Sequence, residues 1–302
     1  MTELDLLILG AGWTATFLIP LAQSRSIHFA ATTTTGRSIP SNDGEIPTIP
    51  FKFDPEAPEE ETRTAIASLP RAKTVLITFP LRGDGPSKLL TEAYTSSHQT
   101  SAATAATQFR FVQLGSTGIW QSDGQTFTND SSPWVDRHSP YNTANPRAIA
   151  EDELLKLGGC VLNLSGLWGG QRNPRNWIPR VAATKEQVKG KKSLHLVHGQ
   201  DVARAILAVT SGDERKWEEA GKGQRWMLTD GFVYDWWALL AAWAEENKKE
   251  GEDTIEQVKW VWELMEEEGI RALPRSMEEL GRAYDAREFW RKWGLEPTKG
   301  GV

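Results

Sequence analysis

The chain has 302 residues, with 34 Lys+Arg against 40 Asp+Glu for a formal charge of −6, and is 39% hydrophobic and 25% charged. That length holds one large α/β domain or two smaller ones, with ample chain for a core. The acidic balance, with basic residues scattered apart from Lys189–Lys192, excludes a nucleic acid as the main partner.

The single cysteine, Cys160, excludes an internal disulfide framework and fits a reducing compartment. Met1-Thr-Glu-Leu-Asp5 lacks the basic region of a secretory leader. The apolar run Trp236–Ala244 is about half of the roughly 20 residues a membrane helix needs. A cytoplasmic protein with neither membrane nor nucleic acid as partner is expected.

In chain order, Leu4–Leu9 is a continuous apolar run ending in glycine, the pattern of a strand buried on both faces of a parallel sheet. Similar runs follow at Ser26–Thr33, Thr74–Phe79, Phe109–Leu114 and Cys160–Leu164. Helical segments are expected at Thr14–Ser24, Glu59–Leu69, Leu89–Gln108 and Ala148–Leu157, with Pro20 kinking the first. Residues 36–50 read as a loop of turn residues throughout. The alternation predicts βαβ units and a doubly wound parallel sheet.

Beyond residue 165 the texture changes, and most of the 14 tryptophans lie there. Asp201–Thr210 reads as a short helix. Three tail helices are expected at Asp253-x-x-Glu256, Ser276-x-x-Glu279 and Asp285-x-x-Glu288, each opened by a capping-box pattern. Ile255, Val258, Trp262 and Met265 would share the buried face of the first, and Gly294 would end the last. Residues 1–165 and 194–230 are expected to form a Rossmann-type core, and 166–193 with 231–302 a small, mainly helical substrate-side lobe. The aromatics Trp226, Phe232, Tyr234, Trp236 and Trp237 read as core or pocket wall, since too few basic residues interleave with them for base stacking.

Gly10-Ala-Gly12-Trp13-Thr14-Ala15 fits the dinucleotide fingerprint G-x-G-x-x-G/A, with the required strand before it and helix after it. Gly10 permits the tight turn, Gly12 lets the backbone approach a pyrophosphate, and the helix start offers N–H groups to the anion. Past the second strand, Thr35, Arg37 and Ser38 stand where an acidic residue would hold the ribose hydroxyls of NAD. Arg37 with hydroxyl neighbours suits a 2′-phosphate, so NADP is expected over NAD, with NAD left open. Asp54, after Phe51–Phe53, reads equally as an adenine contact or a solvated loop residue. Phe79 and Pro80 border the same crevice. Ser116 and Thr117, closing a strand, can hydrogen-bond a substrate oxygen or serve as turn residues. Arg172 and Arg175, with Trp177, could grip an acidic or nucleotide-linked substrate or form a solvated loop. No group of His, Cys, Asp and Glu has metal-ligand spacing. Cys160, His195 and His198 read as packing residues and His138 as an exposed loop histidine.

Four stretches together resemble the extended and atypical short-chain dehydrogenase/reductases, the NAD-dependent epimerase/dehydratase-like proteins. They are Gly10–Ala15, Leu114-Gly-Ser-Thr-Gly-Ile-Trp120, Leu162-Asn-Leu-Ser-Gly-Leu-Trp-Gly169 and Leu196-Val-His-Gly-Gln-Asp-Val-Ala-Arg-Ala205. The resemblance implies that Leu167 and Trp168 lie beside the nicotinamide, Trp168 standing where the family has tyrosine. It also implies a Tyr-x-x-x-Lys pair, from which this sequence departs. Tyr141 is followed four residues later by Asn145. Taken instead from Arg147-Ala-Ile-Ala-Glu151, the register puts Arg147 in the lysine's place and Thr143 in the tyrosine's.

An arginine supplies positive field but no shuttled proton. Tyr141 is therefore the expected donor, with Ser116 and Thr117 orienting the substrate and Arg147 in electrostatic support. The expected function is an NADP-dependent oxidoreductase or epimerase-like enzyme on a small molecule. The alternative is a catalytically inactive NADP-binding regulatory or sensor protein. Family members pair through helices flanking the active-site segment, so a homodimer is one arrangement the resemblance implies.

Overall fold

The computed structural model describes residues 3–41, 44–99, 109–122, 125–126, 132–243 and 255–302. Its centre is a parallel sheet of seven strands: β1 (Leu4–Leu9), β2 (Phe29–Thr33), β3 (Ile49–Pro50), β4 (Ala72–Ile77), β5 (Arg110–Ser116), β6 (Cys160–Leu164) and β7 (Arg225–Leu228). They lie in the order β7-β6-β5-β4-β1-β2-β3. The strand order reverses between β1 and β4, which pair from Leu4↔Ala72 to Leu9↔Ile77. The carboxyl ends of those two strands therefore open the crevice where such sheets bind ligands.

Side chains alternate across each strand, and both faces of this sheet are covered. Leu6 and Ile8 of β1 join a core with α1 (Ala15–Ser24), while Leu7 and Leu9 join a second core with α2 (Glu59–Ala67), α3 (Pro86–His98) and α4 (Pro146–Lys156). Helices α5 (Gly199–Thr210) and α6 (Glu214–Ala220) complete the first layer. The doubly wound Rossmann-type sheet expected from the sequence is the fold observed. Helix α1 runs through Pro20 without a break. The expected helix Leu89–Gln108 starts earlier, at Pro86, and its stretch past Gln99 lies outside the described residues.

Residues 36–50 are more ordered than turn chemistry suggested. Ile39–Ser41 pairs antiparallel with Gly44–Ile46, setting Ile39 opposite Ile46. Both isoleucines pack on the first core, which gives the hairpin a hydrophobic reason to form.

Past β6, three short pairings fasten the remaining chain. Gly166–Trp168 runs parallel to Leu196–His198, Ser193–Leu194 antiparallel to Tyr234–Asp235, and Trp134–Val135 parallel to Ala283–Tyr284. A third core gathers α7 (Trp236–Ala242) and α8 (Glu256–Glu268), with Trp237 fully buried. At its side Arg275 Nη2 donates to Asp235 Oδ1 at 2.7 Å, both residues buried.

Two tail helices follow, α9 (Met277–Leu280) and α10 (Arg287–Trp293). The Ser276/Glu279 capping box forms in full, and Gly294 ends α10 at φ 64°. Asp253 lies outside the described residues, and α8 has Ile255 at its N-cap. Trp262 departs from expectation: it is 63% exposed, because the buried stripe of α8 runs through Val261, Leu264 and Met265, one residue round the helix. Asp285 stands one residue before the N-cap of α10 and accepts from the Arg287 N–H at 3.0 Å, while Glu288 pairs with Arg137 and His138 instead of closing a box. Among the described residues, no helix is long and apolar enough to cross a membrane.

Candidate functional site

The turn after β1 is built around two glycines. Gly10 has φ +91°, and a Cβ there would stand 2.7 Å from Thr78 Oγ1. Its N–H donates to Thr32 Oγ1 at 3.0 Å, tying the turn to the end of β2. Gly12 is different, since a Cβ there would meet nothing within 4 Å. No described neighbour fills the space of a side chain at 12, so the backbone there is open to close approach. The N–H groups of Trp13 and Thr14 have no acceptor among the described residues, so the turn presents free donors at the start of α1.

This turn forms one wall of a cleft of about 320 Å³ lined by Gly10, Gly12, Trp13 and Thr14, by Thr78 and Pro80 after β4, and by Leu114, Gly115 and Ser116 of β5. Leu164, Ser165 and Leu167 after β6, with Arg147 and Arg172, close the other side. Arg172 is stacked 4.5 Å above the Trp13 ring, and Trp13 Nε1 donates to Gly169 O at 3.1 Å. The loop after Trp168 is thereby strapped across the glycine turn. The turn, the helix start and the cleft fit a dinucleotide diphosphate.

The sequence-expected residues divide among several places. Ser116 and Arg147 share the cleft with the glycine turn. Thr117, 5% exposed, faces the core, and its carbonyl accepts from Tyr284 Oη at 3.1 Å. Tyr141 does not line the cleft; its hydroxyl donates to Asp152 Oδ1 at 2.7 Å, and the Arg225 guanidinium lies 4.4 Å over its ring. Burial, and then the bond to Asp152, hold the phenol above its ordinary pKa, so it keeps its proton.

Thr35, Arg37 and Ser38 are exposed beyond β2, where the Arg37 carbonyl accepts from Thr48 Oγ1 at 2.7 Å. Asp54 accepts from Lys52 Nζ at 3.0 Å and from the Glu56 N–H, and the Lys52 bond holds its carboxyl below the usual range. Phe79 stacks on Phe53 with centroids 5.9 Å apart, and Trp168 meets the His198 ring edge-on at 4.6 Å.

A buried polar network beneath Ser116 escaped sequence reasoning. Asn163 Nδ2 donates to Ser116 O at 3.0 Å and to Glu151 Oε2 at 2.8 Å, and Arg225 Nη2 bridges Glu151 and Asp152 at 3.3 and 2.9 Å. Glu151 and Asn163 are fully buried. Gly115 makes room for them: a Cβ there would stand 2.5 Å from Glu151 Oε1. Burial raises the pKa of Glu151 despite the facing arginine. The one sequence signal was an Asn inside an otherwise apolar strand.

His195, 4% exposed, accepts from the Tyr284 N–H through Nε2 at 3.0 Å, and burial lowers its pKa to about 3, so it stays neutral. Cys160 is buried, which pushes its thiol pKa up. Among the described residues no group of three or more His, Cys, Asp and Glu could hold a metal ion.

No family model matches the sequence, and no curated protein matches it. Solved structures share its fold. The UDP-glucose 4-epimerase of Thermus thermophilus, in complex with NAD, is 14% identical with a TM-score of 0.53, over 98% of this chain and 94% of that one. An epimerase from Methanothermobacter thermautotrophicus matches at 14% identity and TM-score 0.53, over 99% and 88% of the two chains. A short-chain dehydrogenase/reductase superfamily protein from Agrobacterium tumefaciens with bound NAD matches at 13% identity and TM-score 0.53, over 78% and 81%. The chain thus has the Rossmann-type fold of NAD-dependent epimerases and short-chain dehydrogenases.

Proposed function

We propose that this protein binds a nicotinamide dinucleotide, NADP in preference to NAD, and works as an oxidoreductase or epimerase-like enzyme on a small molecule. The observation that carries the reading is the glycine turn at the β1/β4 switch point, opening into a cleft shared with Ser116 and Arg147. The backbone at Gly10, Gly12, Trp13 and Thr14 would hold the diphosphate. Thr35, Arg37 and Ser38 would meet the 2′-phosphate, Asp54, Phe79 and Pro80 the adenosine end, and Leu167 and Trp168 the nicotinamide. When bound, the nicotinamide supplies hydride exchange. Ser116 then orients a substrate oxygen, and Arg147 stabilises negative charge developing beside it.

The cofactor reading is tested by titrating the purified protein with NADPH and NADH, following nicotinamide fluorescence. NADPH is expected to bind more tightly. Arg37→Ala should raise the NADPH dissociation constant about tenfold, roughly 1.4 kcal/mol, with NADH changed little. Equal losses for both nucleotides would remove the NADP preference.

One observation favours the alternative of an NADP-binding protein without turnover. The described cleft residues include no Tyr, Lys, His, Asp or Glu, and the Tyr141 hydroxyl is engaged by Asp152. A screen of carbonyl substrates for NADPH oxidation, repeated with Tyr141→Phe, separates the readings. Activity lost in the variant assigns Tyr141 as proton donor, and activity retained removes it from that role. A wild-type protein that binds NADPH yet oxidises none of it with any substrate supports the sensor.

A further inference from the structure

Arg147 occupies an unusual position for a guanidinium. It is half-buried in the cleft, and among the described residues no carboxylate pairs with it. Several more deeply sheltered arginines of this fold are paired with carboxylates: Arg225 with Glu151 and Asp152, Arg275 with Asp235, Arg110 with Glu214 and Arg137 with Glu288. A partly desolvated, unpaired charge is costly unless a ligand completes it.

Its place in the cleft is fixed by α4. Glu151, on that helix, approaches the Ser116 N–H, with Oε1 3.4 Å from the nitrogen. Arg147 lies four residues earlier, on the same face and about 6 Å along the axis. It lines the same cleft as Ser116. Arg172, by contrast, is held on Trp13 at the glycine turn.

We propose that the cleft recognises a small molecule carrying an anionic oxygen group, a carboxylate or a phosphate, which Arg147 grips while the Ser116 hydroxyl bonds a neighbouring oxygen. The planar guanidinium matches either anion through paired N–H donors. No described acid lines the cleft to repel it. This assignment rests on the cleft being the ligand site proposed above. It makes Arg147 a substrate-selecting residue and leaves the cofactor's diphosphate to Arg172 and the glycine turn.

The test is titration of the NADPH-loaded protein with oxalate and, separately, with inorganic phosphate, read by nicotinamide fluorescence. A saturable response is expected, and the anion that binds more tightly identifies the group. Arg147→Gln should weaken the anion at least about tenfold while changing NADPH affinity less than about threefold, and Arg172→Ala should do the reverse. Arg147→Lys, which keeps the charge without the planar fork, should recover part of the anion affinity. The proposal is overturned if wild type responds to neither anion, or if Arg147→Gln weakens NADPH as much as it weakens the anion. If wild type fails to bind NADPH, the cofactor reading falls by itself. Calorimetry of the same anions on nucleotide-free protein then decides: heat abolished by Arg147→Gln supports the anion site, and heat absent from wild type overturns it.

Discussion

Gly10 and Gly12 stand two residues apart in one turn, yet each is glycine for a separate reason. At Gly10 the backbone is left-handed and Thr78 fills the space of a Cβ. At Gly12 the space is open. Gly10→Ala should therefore lower stability by about 1–3 kcal/mol in urea unfolding, the cost of strained backbone plus a clash. Gly12→Ala should leave the unfolding midpoint unchanged and weaken NADPH binding. A Gly12→Ala protein that unfolds early but binds normally would show that glycine serves the fold there. At this scale the sequence announced the turn, because a fingerprint of adjacent residues is a local signal. It could not announce that Tyr141 donates to Asp152, or that Asn163 and Glu151 hold Ser116 from below, since nothing in a short window marks those pairings.

Among the elements, β1, β2, β4, β5 and β6 were legible as apolar runs because both faces of the sheet are covered and the buried pattern is continuous, whereas β3 lay in an expected loop and β7, opened by Arg225, showed no such run. The Ser276 capping box was legible because its two partners are three residues apart. The face of α8 was misread at Trp262, because an aromatic residue carries no label saying which of two adjacent stripes meets the core.

The segment after β7 carries a pH dependence. Asp230, 4% exposed, accepts from Tyr234 Oη at 2.6 Å, and burial pushes its pKa up to about 6 from an ordinary 3.8. Between those values the unfolded chain releases the proton first, so the folded state holds more protons and stability falls as pH rises. A shift of that size corresponds to roughly 3 kcal/mol at most. Asp230→Asn keeps the shape and accepts the same bond, and should flatten the dependence of unfolding free energy on pH between about 4 and 6. An unchanged slope in the variant would place the titration elsewhere.

Across the whole molecule, the tail returns to the sheet. Phe289, Trp290 and Trp293 of α10 join the first core beside Trp226 of β7, and Trp290 Nε1 donates to Thr229 O at 3.0 Å. Phe289 is 1% exposed, so Phe289→Ala should cost about 3–5 kcal/mol in chemical denaturation, as for other large buried aromatics. A loss below about 1 kcal/mol would mean that the tail docks without stabilising the core.

The sequence by itself determined the succession of βαβ units, the parallel sheet, the glycine turn, the Ser276 capping box and the Gly294 helix end, because periodicity, turn chemistry and capping act over a few neighbouring residues. Only the tertiary structure decided which polar groups meet. Arg225 reaches Glu151 across 74 residues of chain, and Trp13 bonds Gly169 across 156. Such contacts follow from how the sheet stacks its strands and brings its loops to one edge. The same packing takes Tyr141 out of the cleft and leaves Arg147 within it.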